Sequence, residues 1–150
     1  MSFGYDRLKQ TGEKGARKKT NNKWFETQDT IKYWEDFYKQ KIVYSEIVRE
    51  PQFYLDKEGK FFPEATVFIM TGEYLEFLYK ALHTKAITFF FKTFYAGGGL
   101  GDEGYRYKKK FLENLPIPKP TKNIDLENIE NSICELYALS KEEIDFIEFQ

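Results

Sequence analysis

The apolar pattern of the chain changes character near residue 71, and this change restricts the possible folds. Before residue 71, apolar residues occur in short runs rich in β-branched and aromatic side chains, which is typical of strands. After it they recur every three or four positions, which is typical of helices that bury one face. We therefore predict an α+β fold, in which a small sheet forms early and helices pack with it later in the chain.

The predicted strands are short and are separated by residues that break regular structure. They cover about residues 41–47, 52–56 and 66–70. Pro51 ends the first run, and Gly59 lies in a hairpin-like turn after the second. Residues 66–70 are apolar on both faces, so we predict that they form the central strand.

Helices are predicted over about residues 73–83, 85–95 and 105–115. Thr71 is the predicted cap of the first of them. The third is basic and is stopped by the prolines at positions 116, 118 and 120. A C-terminal helical tail follows, first over residues 125–139 and then from a capping box formed by Ser140 and Glu143.

Charge divides the chain into a basic body and an acidic tail. Residues 123–150 contain one lysine and eight acidic residues, whereas the rest of the chain contains 22 basic and 16 acidic residues. We predict a basic domain over residues 1–122, of which 1–23 are flexible, and an acidic helical extension over 123–150. The charge balance alone favours the simpler alternative of two ordinary solvated faces.

Composition excludes several classes of protein. With 41% hydrophobic and 19% aromatic residues the chain is not disordered. Its one cysteine, Cys134, excludes an internal disulfide and a cysteine-based zinc site. No apolar run is long enough to span a bilayer and residues 1–10 lack a signal-peptide pattern, so we expect a cytoplasmic protein that does not contact a membrane.

The residues that could carry catalysis are isolated from one another. His83 is the only histidine, and Cys134 lies in the apolar stripe of a predicted helix. Glu58 and Lys60 have the spelling of a metal-dependent nuclease motif, with Glu46 upstream, but they fall in a predicted turn. We therefore predict no catalytic residue and no metal site, and a nuclease is the weakest alternative.

The chain contains several short motifs. No single motif identifies a family, but their order and spacing together do. They are KIVYSEI at 41–47, PQFYLD at 51–56, GKFFP at 59–63, the helical segment 77–87, YRYKKK at 105–110, LPIP at 115–118 and ICELYAL at 133–139. In this order they resemble the C-terminal specificity region of Taq-type N6-adenine DNA methyltransferases and of fused type IIG restriction–modification enzymes. Ser45 stands where the family pattern has proline, which removes a break from the strand.

The resemblance implies a function for the chain within a larger enzyme. Residues 1–122 would be a partial DNA target-recognition domain. The chain would be a fragment that binds double-stranded DNA and positions a bacterial adenine methyltransferase, with or without endonuclease activity, on its recognition sequence. Its partner would be the methyltransferase half, into which the target adenine is flipped. The parent enzyme would use S-adenosylmethionine, with Mg²⁺ as a second candidate cofactor. The chain itself lacks an Asn-Pro-Pro-Tyr element and is expected to hold no cofactor.

Candidate DNA contacts follow from the basic and glycine-rich stretches. The candidate phosphate contacts are Arg106, Lys108, Lys109, Lys110, Arg17, Lys18, Lys19 and Lys23. The candidate loop and aromatic contacts are Gly98, Gly99, Gly101, Tyr105 and Tyr107. Each basic set has solubility as its alternative role. The alternative for the whole chain is a helical protein-docking module of a larger assembly.

Overall fold

The computed structural model describes residues 9–23, 26, 32–64, 66–95, 104–120 and 124–150. They belong to two compact units, residues 1–34 and 35–150. In the first unit, residues 9–23 contain no helix or strand but are held by backbone hydrogen bonds. The Arg17 N–H donates to the Lys9 carbonyl at 2.9 Å, and the Gly12 N–H donates to the Arg17 carbonyl at 3.0 Å.

The second unit is an α+β fold, as predicted, and it begins within a 3-10 helix at Trp34–Tyr38. Its described strands are β1 (Lys41–Ser45), β2 (Ile47–Val48), β3 (Phe53–Asp56), β4 (Val67–Met70) and β5 (Tyr105–Arg106). Its described α-helices are α1 (Leu75–Leu82), α2 (Lys85–Phe94), α3 (Lys109–Leu112), α4 (Ile129–Leu136) and α5 (Lys141–Glu148). No helix in the described part of the chain is long and apolar enough to cross a membrane.

The three predicted strands form one antiparallel sheet, but their order differs from the prediction. The order is β3-β1-β4, so β1 is central and β4 lies at an edge. The prediction that residues 66–70 are central was therefore wrong. Every residue of β4 is only half-buried, whereas Lys41, Ile42 and Tyr44 of β1 are buried. Apolar residues on both faces indicate cover on both faces, which an edge strand can also have.

The predicted strand over residues 41–47 is in fact two strands. Glu46 separates β1 from β2, which leaves the sheet and pairs antiparallel with β5. The prediction of a helix over 105–115 was correspondingly wrong, because only Lys109–Leu112 are helical. Tyr105, Arg106 and Tyr107 alternate buried, exposed, buried, which is the period of a strand.

The hydrophobic core lies where the helices pack against the sheet and against one another. Helix α1 packs against β1 and β3, and α2 packs against α1, α4 and α5. The centre of this core contains Ile42, Ala81, Phe91 and Ile133, all fully buried. Since these residues come from strands and helices far apart in the chain, the core joins the sheet to the C-terminal helices.

Helix starts were predicted with mixed success. The Ser140–Glu143 capping box at the start of α5 is confirmed, with reciprocal hydrogen bonds of 2.8 and 3.3 Å. Thr71 does not cap α1, because the cap residue is Tyr74, whose φ is 56° and whose side chain caps nothing. Helix α2 begins at Thr84, whose hydroxyl accepts from the Ile87 N–H.

Candidate nucleic-acid interface

The signature motifs of the sheet meet in a buried ion pair. Lys41 opens β1 and Asp56 closes β3, and the two residues are paired across the sheet. The Lys41 Nζ lies 2.5 Å from Asp56 Oδ2 and also donates to the Phe37 carbonyl at 2.7 Å. Lys41 is 0% exposed and Asp56 is 2% exposed. Neither charge is therefore available to a ligand.

The Asp56 carboxylate also holds the turn that follows β3. It accepts from the Lys60 N–H at 3.1 Å and from the Phe61 N–H at 2.9 Å. Burial by itself would raise the pKa of this carboxyl, but the hydrogen bonds from Lys41, Phe61 and Lys60 lower it to about 2. Asp56 is thus a charged structural group that fastens the turn to the sheet.

The turn itself requires glycine at position 59. Gly59 has a φ of 66° and is buried. A Cβ at this position would overlap the Tyr38 carbonyl group. The GKFFP motif is therefore explained by packing and backbone conformation, and we assign it no contact with DNA.

The second sheet is a two-stranded ribbon with one buried and one exposed face. Val48 pairs with Tyr105, and both are buried. Ile47 pairs with Arg106, and both are exposed. The ribbon continues beyond this pair, because the Tyr107 N–H donates to the Glu46 carbonyl at 2.8 Å. The ribbon therefore packs on the core with one face and exposes the other face to solvent.

Tyr105 and Tyr107 anchor the ribbon in the core. Their hydroxyl groups are 3.4 Å apart, and the Tyr107 ring lies 4.4 Å from the Phe91 ring centroid to centroid. Both side chains are at most 5% exposed, and burial raises the pKa of both phenols. Such residues do not stack on a nucleic acid, and we leave them out of the proposed DNA contacts.

The predicted basic cluster lies where β5 leads into α3, and all of its members are exposed. These are Arg106, Lys108, Lys109 and Lys110. Lys108 lies 5.9 Å above the Phe111 ring, and Lys109 Nζ is 3.6 Å from a Glu113 carboxylate oxygen. Residues 104–120 contain five basic residues and one acid, so this segment has a net charge of +4.

A further lysine of this surface was missed in the sequence. Lys92 of α2 places its Nζ 5.0 Å from the centroid of the Tyr105 ring, and it is exposed. It comes from another helix, so no linear pattern connects it to residues 106–110. We name Lys92, Arg106, Lys108, Lys109 and Lys110 the basic edge.

The other predicted basic residues lie in the first unit. Lys18, Lys19 and Lys23 are exposed, and Arg17 is half-buried with its Nη2 donating to the Glu26 carbonyl at 2.6 Å. They are not counted in the basic edge, which belongs to the second unit. The predicted loop contacts Gly98, Gly99 and Gly101 lie outside the described residues.

The side chains considered for catalysis are paired with other protein groups or buried. Glu58 and Lys60 form an exposed ion pair with each other on the turn. The His83 Nδ1 hydrogen-bonds the Tyr79 carbonyl at 2.8 Å, and burial raises the pKa of the Cys134 thiol. Among the described residues, no three His, Cys, Asp or Glu side chains lie together as metal ligands.

A comparison of the sequence with protein families identifies the family of the chain. Residues 5–117 match the TaqI-like C-terminal specificity domain, and the chain belongs to this family. It is therefore a DNA-recognition specificity domain of the kind found in restriction–modification enzymes. Searches among curated proteins and among solved structures found no match. The matched range includes the sheet, the ribbon and α3, and it ends before α4 and α5.

Proposed function

We propose that the chain positions an adenine-specific DNA methyltransferase, alone or fused to an endonuclease, on its recognition sequence. The chain would bind the duplex through the basic edge and leave catalysis to the methyltransferase half. The observation that carries this proposal is the exposed net positive charge of residues 104–120, which include one strand of the ribbon anchored in the core.

The physical case rests on what DNA phosphates require. A duplex presents rows of negative charge, and lysine and arginine side chains neutralise them with release of counterions. Contacts to phosphates set the register of a protein on the duplex, so they need a rigid support. Tyr105 and Tyr107 supply that support from beneath the ribbon. We keep Arg17, Lys18, Lys19 and Lys23 as a second proposed phosphate-binding set.

The cofactor chemistry is proposed for the parent enzyme rather than for this chain. The carboxylate that ends β3, Asp56, is already used by Lys41 and by two backbone N–H groups, so it cannot hold a ribose hydroxyl. We therefore assign S-adenosylmethionine, with Mg²⁺ as a second candidate cofactor, to the methyltransferase half of the parent enzyme.

The test is DNA binding as a function of salt. Fluorescence anisotropy with a random-sequence duplex would compare the chain with a Lys108→Ala, Lys109→Ala, Lys110→Ala variant. We expect weaker binding and a plot of log K against log salt that is shallower by about 2 to 3, since each phosphate contact contributes about 0.9.

A matched control removes three other exposed lysines that already have carboxylate partners. Lys39 pairs with Asp36, Lys57 pairs with Glu76 and Lys60 pairs with Glu58. Their alanine variant has the same change in net charge, and we expect its salt slope to match that of the parent. Equal slopes in all three proteins, or no binding at low salt, would refute the role of the basic edge.

A protein-docking role is the second candidate, favoured by an apolar groove between α2 and α5. The groove has a volume of about 710 Å³, and Phe89, Phe90 and Phe146 line it together with the acidic Glu142 and Glu143. Acidic side chains repel DNA but suit an apolar segment flanked by lysine or arginine. The proposed occupant is such a segment of the methyltransferase half.

The two candidates differ in their response to salt. Binding of the separately produced methyltransferase half should be weakened by Phe146→Ala, and it should depend less steeply on salt than duplex binding because apolar contacts contribute much of it. A contact that survives Phe146→Ala unchanged would remove the groove from the proposal. Binding of duplex to the same variant is expected to be unchanged, because the groove and the basic edge share no residue.

A further inference from the structure

The exposed face of the ribbon has no explanation in the fold. Ile47 is 57% exposed although its neighbour in the strand, Val48, is 5% exposed. Arg106 lies directly across from Ile47, and among the described residues its guanidinium has no hydrogen bond or ion pair. Directly paired residues of antiparallel strands project to the same side. An apolar group and an arginine are therefore held side by side, facing solvent.

We propose that Ile47 and Arg106 are the base-reading pair of this specificity domain. This inference rests on the proposed DNA-binding function and deepens it by naming the specificity-determining residues. A two-stranded ribbon fits the major groove of a duplex, where side chains reach the edges of the bases. Arg106 would donate to O6 and N7 of a guanine, and Ile47 would contact the C5-methyl group of a neighbouring thymine.

The surroundings of the pair support a reading role rather than a phosphate contact alone. The ribbon is anchored by Tyr105, Tyr107 and Val48 on its buried face, so the exposed face is held in a fixed orientation. Lys92 lies against the Tyr105 ring and Lys108 follows the ribbon directly. Both lysines are exposed, so they can hold phosphates beside the ribbon while Ile47 and Arg106 face the bases.

The chemistry of the pair predicts what the recognised site contains. Arginine reads guanine through two parallel hydrogen bonds, which lysine cannot reproduce although it carries the same charge. Isoleucine discriminates thymine from cytosine or uracil only through the methyl group. The recognised sequence should therefore include a guanine and a thymine on adjacent base pairs, read from one groove.

The test is selection of duplexes from a randomised pool by the full chain, by an Arg106→Lys variant and by an Ile47→Thr variant. Both substitutions are on the exposed face and threonine retains strand propensity, so both variants should fold, as circular dichroism would verify. The parent chain should enrich a guanine beside a thymine. The Arg106→Lys variant should lose preference at the guanine by about tenfold or more at an unchanged salt slope.

The contribution of Ile47 is measured by deleting only the methyl group from the DNA. Replacing the selected thymine by uracil should weaken binding of the parent chain roughly threefold to fivefold, as expected for one buried methyl group. The same replacement should weaken binding of the Ile47→Thr variant less than that of the parent, because threonine retains only one of the two methyl groups of isoleucine. An Arg49→Lys variant provides the charge-conserving control, since Arg49 is exposed beyond the end of β2.

The outcomes separate this inference from the proposed function. If the parent chain binds no duplex even at low salt, the proposed function fails and the inference fails with it. If the chain binds but enriches no sequence, or if both variants enrich the same sequence as strongly as the parent, only the inference is overturned. If the Arg49→Lys variant lost as much preference for guanine as the Arg106→Lys variant, the assignment of guanine reading to Arg106 would also be overturned.

Discussion

Lys41 and Lys110 show how differently one residue type is used in two regions of this molecule. Lys41 is 0% exposed and is held by Asp56 and by the Phe37 carbonyl. Lys110 is exposed and belongs to a stretch of basic residues that has one acid beside it. The motif around Lys41 makes the family recognisable, yet it holds the fold together. The residues proposed to contact DNA lie where charge is left in solvent.

This contrast has a general physical reason. A buried charge is tolerated only with a partner and good hydrogen bonds, so the residues around it allow few substitutions. An exposed lysine has no such requirement, so it can be replaced at little cost to the stability of the fold. Three substitutions or conditions test the contrast, and their expected effects on stability decrease in turn.

The greatest loss of stability is expected from breaking the buried pair. Asp56→Ala leaves the Lys41 ammonium buried without its carboxylate and frees two N–H groups of the turn, so the free energy of unfolding should fall by about 3 to 5 kcal/mol. Urea denaturation would measure it. Adding Lys41→Met removes the stranded charge, and the double variant should be more stable than Asp56→Ala alone. A double variant as unstable as the two single effects summed would contradict a coupled pair.

A smaller effect is the dependence of stability on pH. Since the folded pKa of Asp56 is about 2, below its ordinary 3.8, the group stabilises the fold above about pH 4 and loses this contribution as the pH falls through 2. The contribution is about 2 kcal/mol. Unfolding of the parent and of Asp56→Asn would be compared from pH 6 to pH 2. Their difference in unfolding free energy should shrink on acidification, and a constant difference would count against the pair.

The basic edge should contribute least to stability. Lys109 pairs with Glu113 at 3.6 Å, and both side chains are more than half exposed. Lys109→Ala should therefore change the free energy of unfolding by less than about 0.5 kcal/mol. The same variant should reduce the salt slope of DNA binding by about 1. A large loss of stability would show that the basic edge is structural in the way that Lys41 is.

Local patterns in the sequence predicted several elements correctly. The strands near 41–45, 53–56 and 67–70 were located from β-branched and aromatic runs, and α2 and the capping box of α5 were located from apolar spacing and cap residues. These features depend on neighbours within a few residues. Two predictions that failed, the central strand and the helix over 105–115, depended on distant strand partners. The predicted cap at Thr71 was also wrong, because the cap residue is Tyr74, three residues later.

Some residues of the candidate site could be predicted from their neighbours in the sequence, and others could not. Arg106 and the lysines at 108–110 were found because they are close together in the chain, and they are exposed. Tyr105 and Tyr107 were grouped with them for the same reason, yet they are buried. Ile47 and Lys92 were missed because only the pairing of β2 with β5 and the packing of α2 bring them to the ribbon.

Residue types in their linear order were enough to predict the class of the fold, the family and the position of the positive charge. The pairing of the strands and the packing of the helices then set which residues accompany those charges. The pairing of the strands decides whether a lysine forms a buried ion pair or stays solvated. It also decides whether an isoleucine faces the core or solvent. That pairing is set by contacts between residues far apart in the chain, where loop closure and core packing outweigh local preference.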